Sequence, residues 1–436
     1  MRKTGIVLLC GAVLLLSACQ STPKTDSGQE VKTSQVSTTS VVLEKGLWEE
    51  KLYARLSQLI QYYGNESATY DANQKPYAVF DWDNTTVIND IGEATFTYQI
   101  ANLVFKMTPE EFDRAIRTNL PLDDFVAEYH NRDGQAVNID RIAHDLVSDY
   151  RVLYEEYEGL SGKKSLAEVQ KLNEYQDFRA KLRYLYEAVG GTFSSDVSYP
   201  WVTYLYAGMT SEEVHQLSAK SIEAALADDL VYETWESPAD LKGEAGQVSV
   251  QFKRGVRSVK EMQNLFAALM GNGIDVYICS ASYYDVIYEY ATNTTYGYNV
   301  PAENIYAMML TKDDKGVIQP QLDPDYYQTQ GEGKTKTIKE FIAKHHGGQA
   351  PILIAGDSNG DYAMLKDFDE LQMGIIFNLL RTPNKGIALL AQEAVDTYGQ
   401  EDAVYFLQGR DENKGVLRDE RETIKLDQKE AQLMKE

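Results

Sequence analysis

The sequence predicts an α/β fold, a parallel sheet covered by helices on both faces with a mainly helical segment inserted near its start. Two observations carry this. Four short apolar runs have strand length, at Tyr77 to Phe80, Ile274 to Cys279, Pro351 to Ala355 and Gly374 to Phe377. Stretches of helical spacing separate them, and Gly271-Asn272-Gly273 stands as a stop between one helix and the strand that follows.

The chain opens with Arg2 and Lys3 and an apolar stretch from Ile6 to Leu16, followed by Leu16-Ser17-Ala18-Cys19. A basic start, an apolar run too short for a comfortable membrane span and small residues before a cysteine make an export signal. The pattern resembles a bacterial lipobox. That implies removal of residues 1–18 and acylation of Cys19, which would hold the protein by its lipid on the outer side of the cytoplasmic membrane, or in the periplasm or outer membrane. Residues 19–41, rich in Ser, Thr, Gln and Lys, carry too few apolar groups to offset chain entropy and are expected to be a disordered tether.

The remainder is globular in composition, and roughly 390 residues are more than one compact domain usually needs. Trp48, Leu52, Leu56, Leu59 and Ile60 recur at helical spacing with Gly64 as a stop, so the folded part begins with an amphipathic helix. Pro76 then introduces the first strand. Residues 42–87 and 253–410 are read as the core lobe and 88–252 as a helical cap, in which Thr108-Pro109-Glu110-Glu111 and Thr210-Ser211-Glu212-Glu213 are helix starts. No alternating strand pattern is read in the cap. Residues 411–436 are read as a charged tail, helical or frayed.

The formal charge is −24, and Arg2 and Lys3 would leave with the signal, so an acidic surface argues against nucleic acid as a partner. Membrane contact is expected through the lipid on Cys19 only. With Cys10 removed and Cys19 acylated, Cys279 is left alone, which excludes an internal disulfide and a cysteine-ligated zinc site. The five histidines show no metal-binding spacing.

Open α/β sheets place ligands at the carboxyl ends of their strands. Here the first strand ends in Asp81-Trp82-Asp83-Asn84-Thr85, the second in Ser280 and the third in Gly356-Asp357, with Asp361 one helical turn on. Lys334 precedes the third strand by a helix. Asp81 and Asp83 repel unless a cation lies between them, and Asp357 adds a carboxylate for an oxygen-ligated Mg²⁺. Ser280 and Lys334 are a hydrogen-bond donor and a point charge suited to phosphate oxygens.

In this order the four pieces resemble the motifs of the haloacid dehalogenase (HAD) superfamily: DxDx[TV], a strand ending in Ser or Thr, a Lys, and GDxxxD, here Gly356-Asp357-Ser358-Asn359-Gly360-Asp361. The resemblance implies a Rossmann-like core and a phosphatase in which Asp81 is the nucleophile and Asp83 the general acid and base. It further implies Mg²⁺ on the Asp81 carboxylate, the Asp83 backbone carbonyl and Asp357, with Asp361 orienting the site from behind and Ser280 and Lys334 holding the phosphoryl oxygens. Dehalogenases of the superfamily lack the second carboxylate, so Asp83 favours phosphate chemistry.

An insertion directly after the first motif resembles the family's cap for small substrates. The stretch Asp83 to Glu93 and the run Cys279-Ser280-Ala281-Ser282 resemble the phosphoserine and phosphorylcholine phosphatase branch, where an acidic residue meets the substrate's amine; Asp90 and Glu93 stand at the candidate positions. Tyr98, Tyr199, Trp201, Tyr204 and Tyr206 are candidates for an aromatic cage around a quaternary ammonium group. Two other functions fit parts of the pattern. A solute-binding lipoprotein of a transporter shares the anchor and the lobes but has no use for the four acid and base residues together. A phosphotransferase on the same aspartate would move phosphate to an acceptor without releasing it.

Overall fold

The computed structural model describes residues 41–435, so the signal segment, Cys19 and nearly all of the expected tether lie outside the described residues. Its centre is a six-stranded sheet made of β1 (Tyr77–Phe80), β2 (Asp275–Tyr283), β3 (Ile305–Met308), β4 (Leu353–Gly356), β5 (Met373–Phe377) and β6 (Tyr405–Gln408). All neighbours run parallel, in the order β6-β5-β4-β1-β2-β3. Every residue of β1, β4 and β5 is buried, as strands covered on both faces require.

Alternation along the strands divides the interior in two. Ala78, Phe80, Val276, Ile278, Leu353 and Ile375 face one core, built with the helices Glu50–Tyr63, Lys260–Gly271 and Tyr284–Thr292. Tyr77, Val79, Tyr277, Cys279, Ile354 and Ile376 face the other, with Ile338, Ile342, Met364 and the helix Ile387–Asp396. From β1 the chain eventually builds β2 and β3 on one side, then crosses back to lay β4, β5 and β6 on the other. The reversal leaves a crevice at the carboxyl end of β1, where open sheets bind ligands.

The chain leaves for the insertion and returns from it through a two-residue antiparallel pair, Val87–Ile88 with Arg257–Ser258. The insertion is chiefly helical, with Ile91–Ala101, Pro109–Arg117, Ile139–Glu156, Asn173–Thr192 and Ser211–Ala227 as its main elements, and Thr108 and Thr210 both form capping boxes. One expectation is corrected here. Val231–Glu236 and Ser249–Arg254 form an antiparallel hairpin, with Val250 and Phe252 buried and their neighbours turned outward.

A second correction concerns the C-terminal segment, read from its charge as helical or frayed. It folds into four short strands, Arg410–Asp411, Val416–Leu417, Thr423–Ile424 and Ala431–Gln432. Leu417 and Leu426 are buried, and Asn378, just after β5, donates to the carbonyls of Arg421 (2.9 Å) and Leu433 (2.7 Å) while accepting at its own carbonyl from Thr423 (2.6 Å). Sequence charge misled because Asp411 and Glu412 are buried with cationic partners, while most of the other charges stay at the surface of these strands. No helix among the described residues is long and apolar enough to cross a membrane.

The cap has an ionic centre of its own. Lys181, fully buried, donates to Asp145 (2.8 Å), Asp177 (2.7 Å) and the Lys242 carbonyl (2.9 Å), joining two helices to the loop that connects the hairpin strands. Asp145 also accepts from the amides of Glu244 and Ala245. Asp149 has an oxygen without an ordinary donor, as does Asp177, and a proton on Asp149 shared with Asp177 satisfies both. Burial first, and then the charge of Asp177, pushes the Asp149 carboxyl up to about 9. Because this folded-state value lies above that of an unfolded carboxylate, the stabilisation is complete at acid pH and is lost as pH rises toward 9. Asp149→Asn keeps the hydrogen bond and removes the titration. Its melting temperature is therefore expected to vary less than the wild type's between pH 6 and pH 9, and parallel curves for the two proteins would refute the shared proton.

Candidate active site

The site is built on a turn that the sequence forces immediately after β1. Trp82 is buried between Tyr290 and Tyr298, and its carbonyl collects the amides of Thr85 (3.3 Å), Thr86 (2.8 Å) and Val87 (3.2 Å). Asn84 takes a left-handed backbone (φ 61°), which asparagine tolerates better than most residues. Asp81 and Asp83 leave this turn toward the crevice, and the Asp81 amide is fixed by the Ala355 carbonyl of β4 at 3.0 Å.

Lys334 is the hub. Its Nζ lies 2.6 Å from Asp81 Oδ1 and 2.7 Å from Asp361 Oδ1, and all three side chains are buried. Thr85 donates toward Asp81 Oδ2 (3.0 Å) and Asp357 Oδ1 (3.2 Å). Asp361 Oδ2 accepts from the amides of Asp357 (3.0 Å) and Ser358 (2.9 Å), so this carboxylate is spent on bracing the loop after β4. Gly356 is required there, because a Cβ would stand 2.5 Å from that of Asp361. Ser280 is buried on the same cavity wall, with its Oγ accepting from the Ser282 amide at 3.1 Å.

Asp81, Asp357 and Asp361 can bring one oxygen each within 4.8 Å of one another. An all-oxygen, carboxylate-rich group of this kind suits a hard cation such as Mg²⁺. Asp361 already accepts from Lys334, the amides of Asp357 and Ser358 and the Ser358 hydroxyl, whereas Asp81 and Asp357 each accept from two donors, one per oxygen, and so keep more acceptor capacity for such an ion. The Asp83 side chain is not part of that group; its Oδ1 accepts from the Ile91 amide (2.6 Å) and its Oδ2 from Ser282 Oγ (2.6 Å).

Burial pushes the Asp81 carboxyl well above its ordinary range, with Asp361 adding to the shift and Lys334 opposing it. Asp83 is pushed up to about 6, by burial against the lowering effect of its bonds from Ser282 and Ile91. Lys334 holds its proton more firmly than an ordinary lysine, since Asp361 and Asp81 outweigh burial.

The cavity above these groups measures about 350 Å³ and is lined by residues of both the core and the cap. Asp90 and Glu93 both line it. Asp90 caps the helix Ile91–Ala101 through the Glu93 amide (2.9 Å), and burial, then Asp83 and Glu93, raise its carboxyl well above the usual range. Glu93 is not free, because the fully buried Arg183 reaches it at 2.9 Å and Glu187 at 2.8 Å. Of the five aromatic candidates, Tyr199 and Tyr206 line the cavity. Trp201 instead donates to the Ile116 carbonyl inside the cap, Tyr204 is buried beside Asn119, and Tyr98 packs against the core. Tyr186 and Glu187 are wall residues that sequence reasoning missed, since both sit mid-helix with no motif to mark them. Arg381 was missed as well. It lies beyond β5, donates from Nε to the Asp357 carbonyl (3.1 Å) and pairs with the Asp357 carboxylate.

No family model matches the chain. It is similar to a phosphorylcholine phosphatase of Pseudomonas aeruginosa, 26% identical over 184 residues that cover 37% of this chain and 49% of that protein, so the match spans about half the length of that relative. Among solved structures, a conserved functionally unknown protein from Anaerococcus prevotii is 35% identical over 88% of this chain and 98% of that one, with a TM-score of 0.82.

Lys334→Met tests the electrostatic reading of the hub. Removing one partner from a buried ion pair typically costs about 3–5 kcal/mol. A loss of that size is expected in urea unfolding at neutral pH, shrinking as the pH falls and the raised Asp81 carboxyl takes up its proton. Unaltered stability would show that the ammonium is not what neutralises them.

Proposed function

This chain belongs to the same family as the conserved Anaerococcus prevotii protein, and we propose that it is a HAD-type phosphatase hydrolysing a small, amine-bearing phosphomonoester such as phosphocholine or a phosphoserine-like compound. The observation that carries the reading is the convergence of Asp81, Asp83, Ser280, Lys334 and Asp357 on one buried cavity at the sheet's reversal point. The likeness to a phosphorylcholine phosphatase supports it.

In this reading the Asp81 carboxylate attacks phosphorus, the bond to the leaving oxygen breaks, and Asp83 gives that oxygen its proton. Asp83 then takes a proton from water as the water attacks the phosphoaspartate, which releases phosphate and restores Asp81. A carboxyl near 6, held in place by Ser282 and Ile91, can do both near neutral pH. Lys334 and Ser280 face the phosphoryl oxygens, and Lys334 contributes its charge without reorganisation because Asp361 already fixes it. Mg²⁺ held by Asp81, Asp357 and the Asp83 carbonyl would offset charge on the phosphoryl group.

Asp90, with Tyr186 and Tyr206 near it and Tyr199 elsewhere on the same cavity wall, gives the leaving group a polar, aromatic-lined wall suited to an ammonium. Glu93 contributes less than its charge suggests, because Arg183 neutralises part of it. Export and anchoring through Cys19 belong to the same proposal. Incorporation of a fatty-acid analogue that is lost in Cys19→Ala is the result expected.

Turnover of p-nitrophenyl phosphate is expected to vanish in Asp81→Asn without loss of fold, to fall by about 10²-fold or more in Asp83→Asn, and to be lost in EDTA and regained with Mg²⁺. Phosphocholine, phosphoethanolamine, phosphoserine and nucleotides compared side by side test the amine wall. Equal kcat/KM on all four would discard it, and full activity in Asp81→Asn would discard the nucleophile.

A further inference from the structure

The C-terminal segment reaches the catalytic turn through one side chain. Arg410, directly after β6, is fully buried, and its guanidinium donates from Nη1 to the Asn84 carbonyl and from Nη2 to Asn84 Oδ1, each at 3.0 Å. Asn84 is the left-handed residue that follows Asp83. Its amide donates to the Asn89 carbonyl at 3.0 Å, so the fork of Arg410 and this bond together fix the peptide on either side of the bend.

Arg410 is itself fixed. Glu412 accepts from its Nη2 at 2.8 Å, and also pairs with Lys253 (2.8 Å) on the cap hairpin and Lys425 (2.8 Å) on the C-terminal segment. Burial opposes a charge on Glu412, but Arg410, Lys253 and Lys425 hold its carboxyl well below the usual range. A buried arginine with a carboxylate behind it and two Asn84 oxygens in front has little rotational freedom.

We propose that Arg410 is a positioning residue of the active site, setting the Asn84 bend and through it the spacing of Asp81 and Asp83, so that residues 410–426 belong to the catalytic machinery rather than to a tail. This rests on the phosphatase reading above. A misplacement of about 1 Å in a reacting group can cost on the order of 10²-fold in rate, whereas substrate binding through Lys334, Ser280 and the cap is untouched by it. The signature is therefore a loss in kcat with little change in KM.

Kinetics of the full chain on p-nitrophenyl phosphate decide it. Arg410→Lys keeps the charge beside Glu412 but lacks the planar fork; kcat is expected to fall about tenfold, with about a hundredfold for Arg410→Gln, at little change in KM. Asn84→Gly leaves the buried cluster intact, keeps the left-handed backbone and deletes one acceptor, so it too is expected to lose kcat. Combined with Arg410→Lys, the two losses should be less than multiplicative, because both remove the same contact. Wild-type kcat in either single variant, or losses that multiply, would overturn the inference while leaving a functioning Asp81-dependent phosphatase. A wild type inert toward every phosphomonoester would overturn the phosphatase reading and this inference with it.

Discussion

Lys334 is the interaction on which the site depends. Asp81, Asp357 and Asp361 are buried within a few ångströms of one another, an arrangement that would drive apart or protonate without a cation. The ammonium sits between Asp81 and Asp361, and thereby ties the turn after β1 to the loop after β4 across two neighbouring strands. The same contacts that make the cluster tolerable leave Lys334 immobile and facing the crevice. Stability and electrostatic preparation have one source here.

The same rule extends outward, and it sorts the acids. Asp357 has Arg381, Glu93 and Glu187 share Arg183, and Glu412 collects Arg410, Lys253 and Lys425. Two cavity carboxyls, Asp83 and Asp90, are held only by hydrogen-bond donors, and in both burial raises the affinity for a proton. In the proposed reading, the raised proton affinity suits the group that passes a proton, and the lack of a neighbouring cation leaves the other open to one from the substrate. The division follows from which acids were given partners, before any substrate is considered.

Much of this was legible in the sequence, for reasons that can be named. β1, β2, β4 and β5 are continuous apolar runs that end in polar residues, so both the strands and the cluster at their ends could be read directly. The capping boxes at Thr108 and Thr210 were equally plain. β3 and β6 were not seen because each lies at a sheet edge, with Tyr306 and Tyr405 only partly buried. The cap hairpin did leave a signal, the alternation of Val250 and Phe252 before Gly255, which the helical surroundings masked. Arg381, Arg183 and Tyr186 left none, since a single residue beyond a strand or within a helix has no pattern; the fold alone brings Arg381 and Tyr186 to the cavity and Arg183 to the Glu93 on its wall.

The C-terminal segment shows where composition misleads most. A net charge of −24 invites the reading that any charged stretch is solvated, yet Arg410, Asp411 and Glu412 are all buried. Charge can enter an interior when opposite charges enter with it and the remaining donors find acceptors. Here Glu412 gathers three cations, and the guanidinium of Arg410 spends its surplus donors on a backbone carbonyl and an amide oxygen of Asn84. Replacing such a cluster by apolar residues would often cost nothing in stability, so stability alone is a weak reason for it. What an apolar residue cannot do is hold a left-handed bend by two directed bonds, one residue beyond Asp83. On the proposal that Arg410 positions this turn, that requirement, rather than stability, accounts for a buried arginine here.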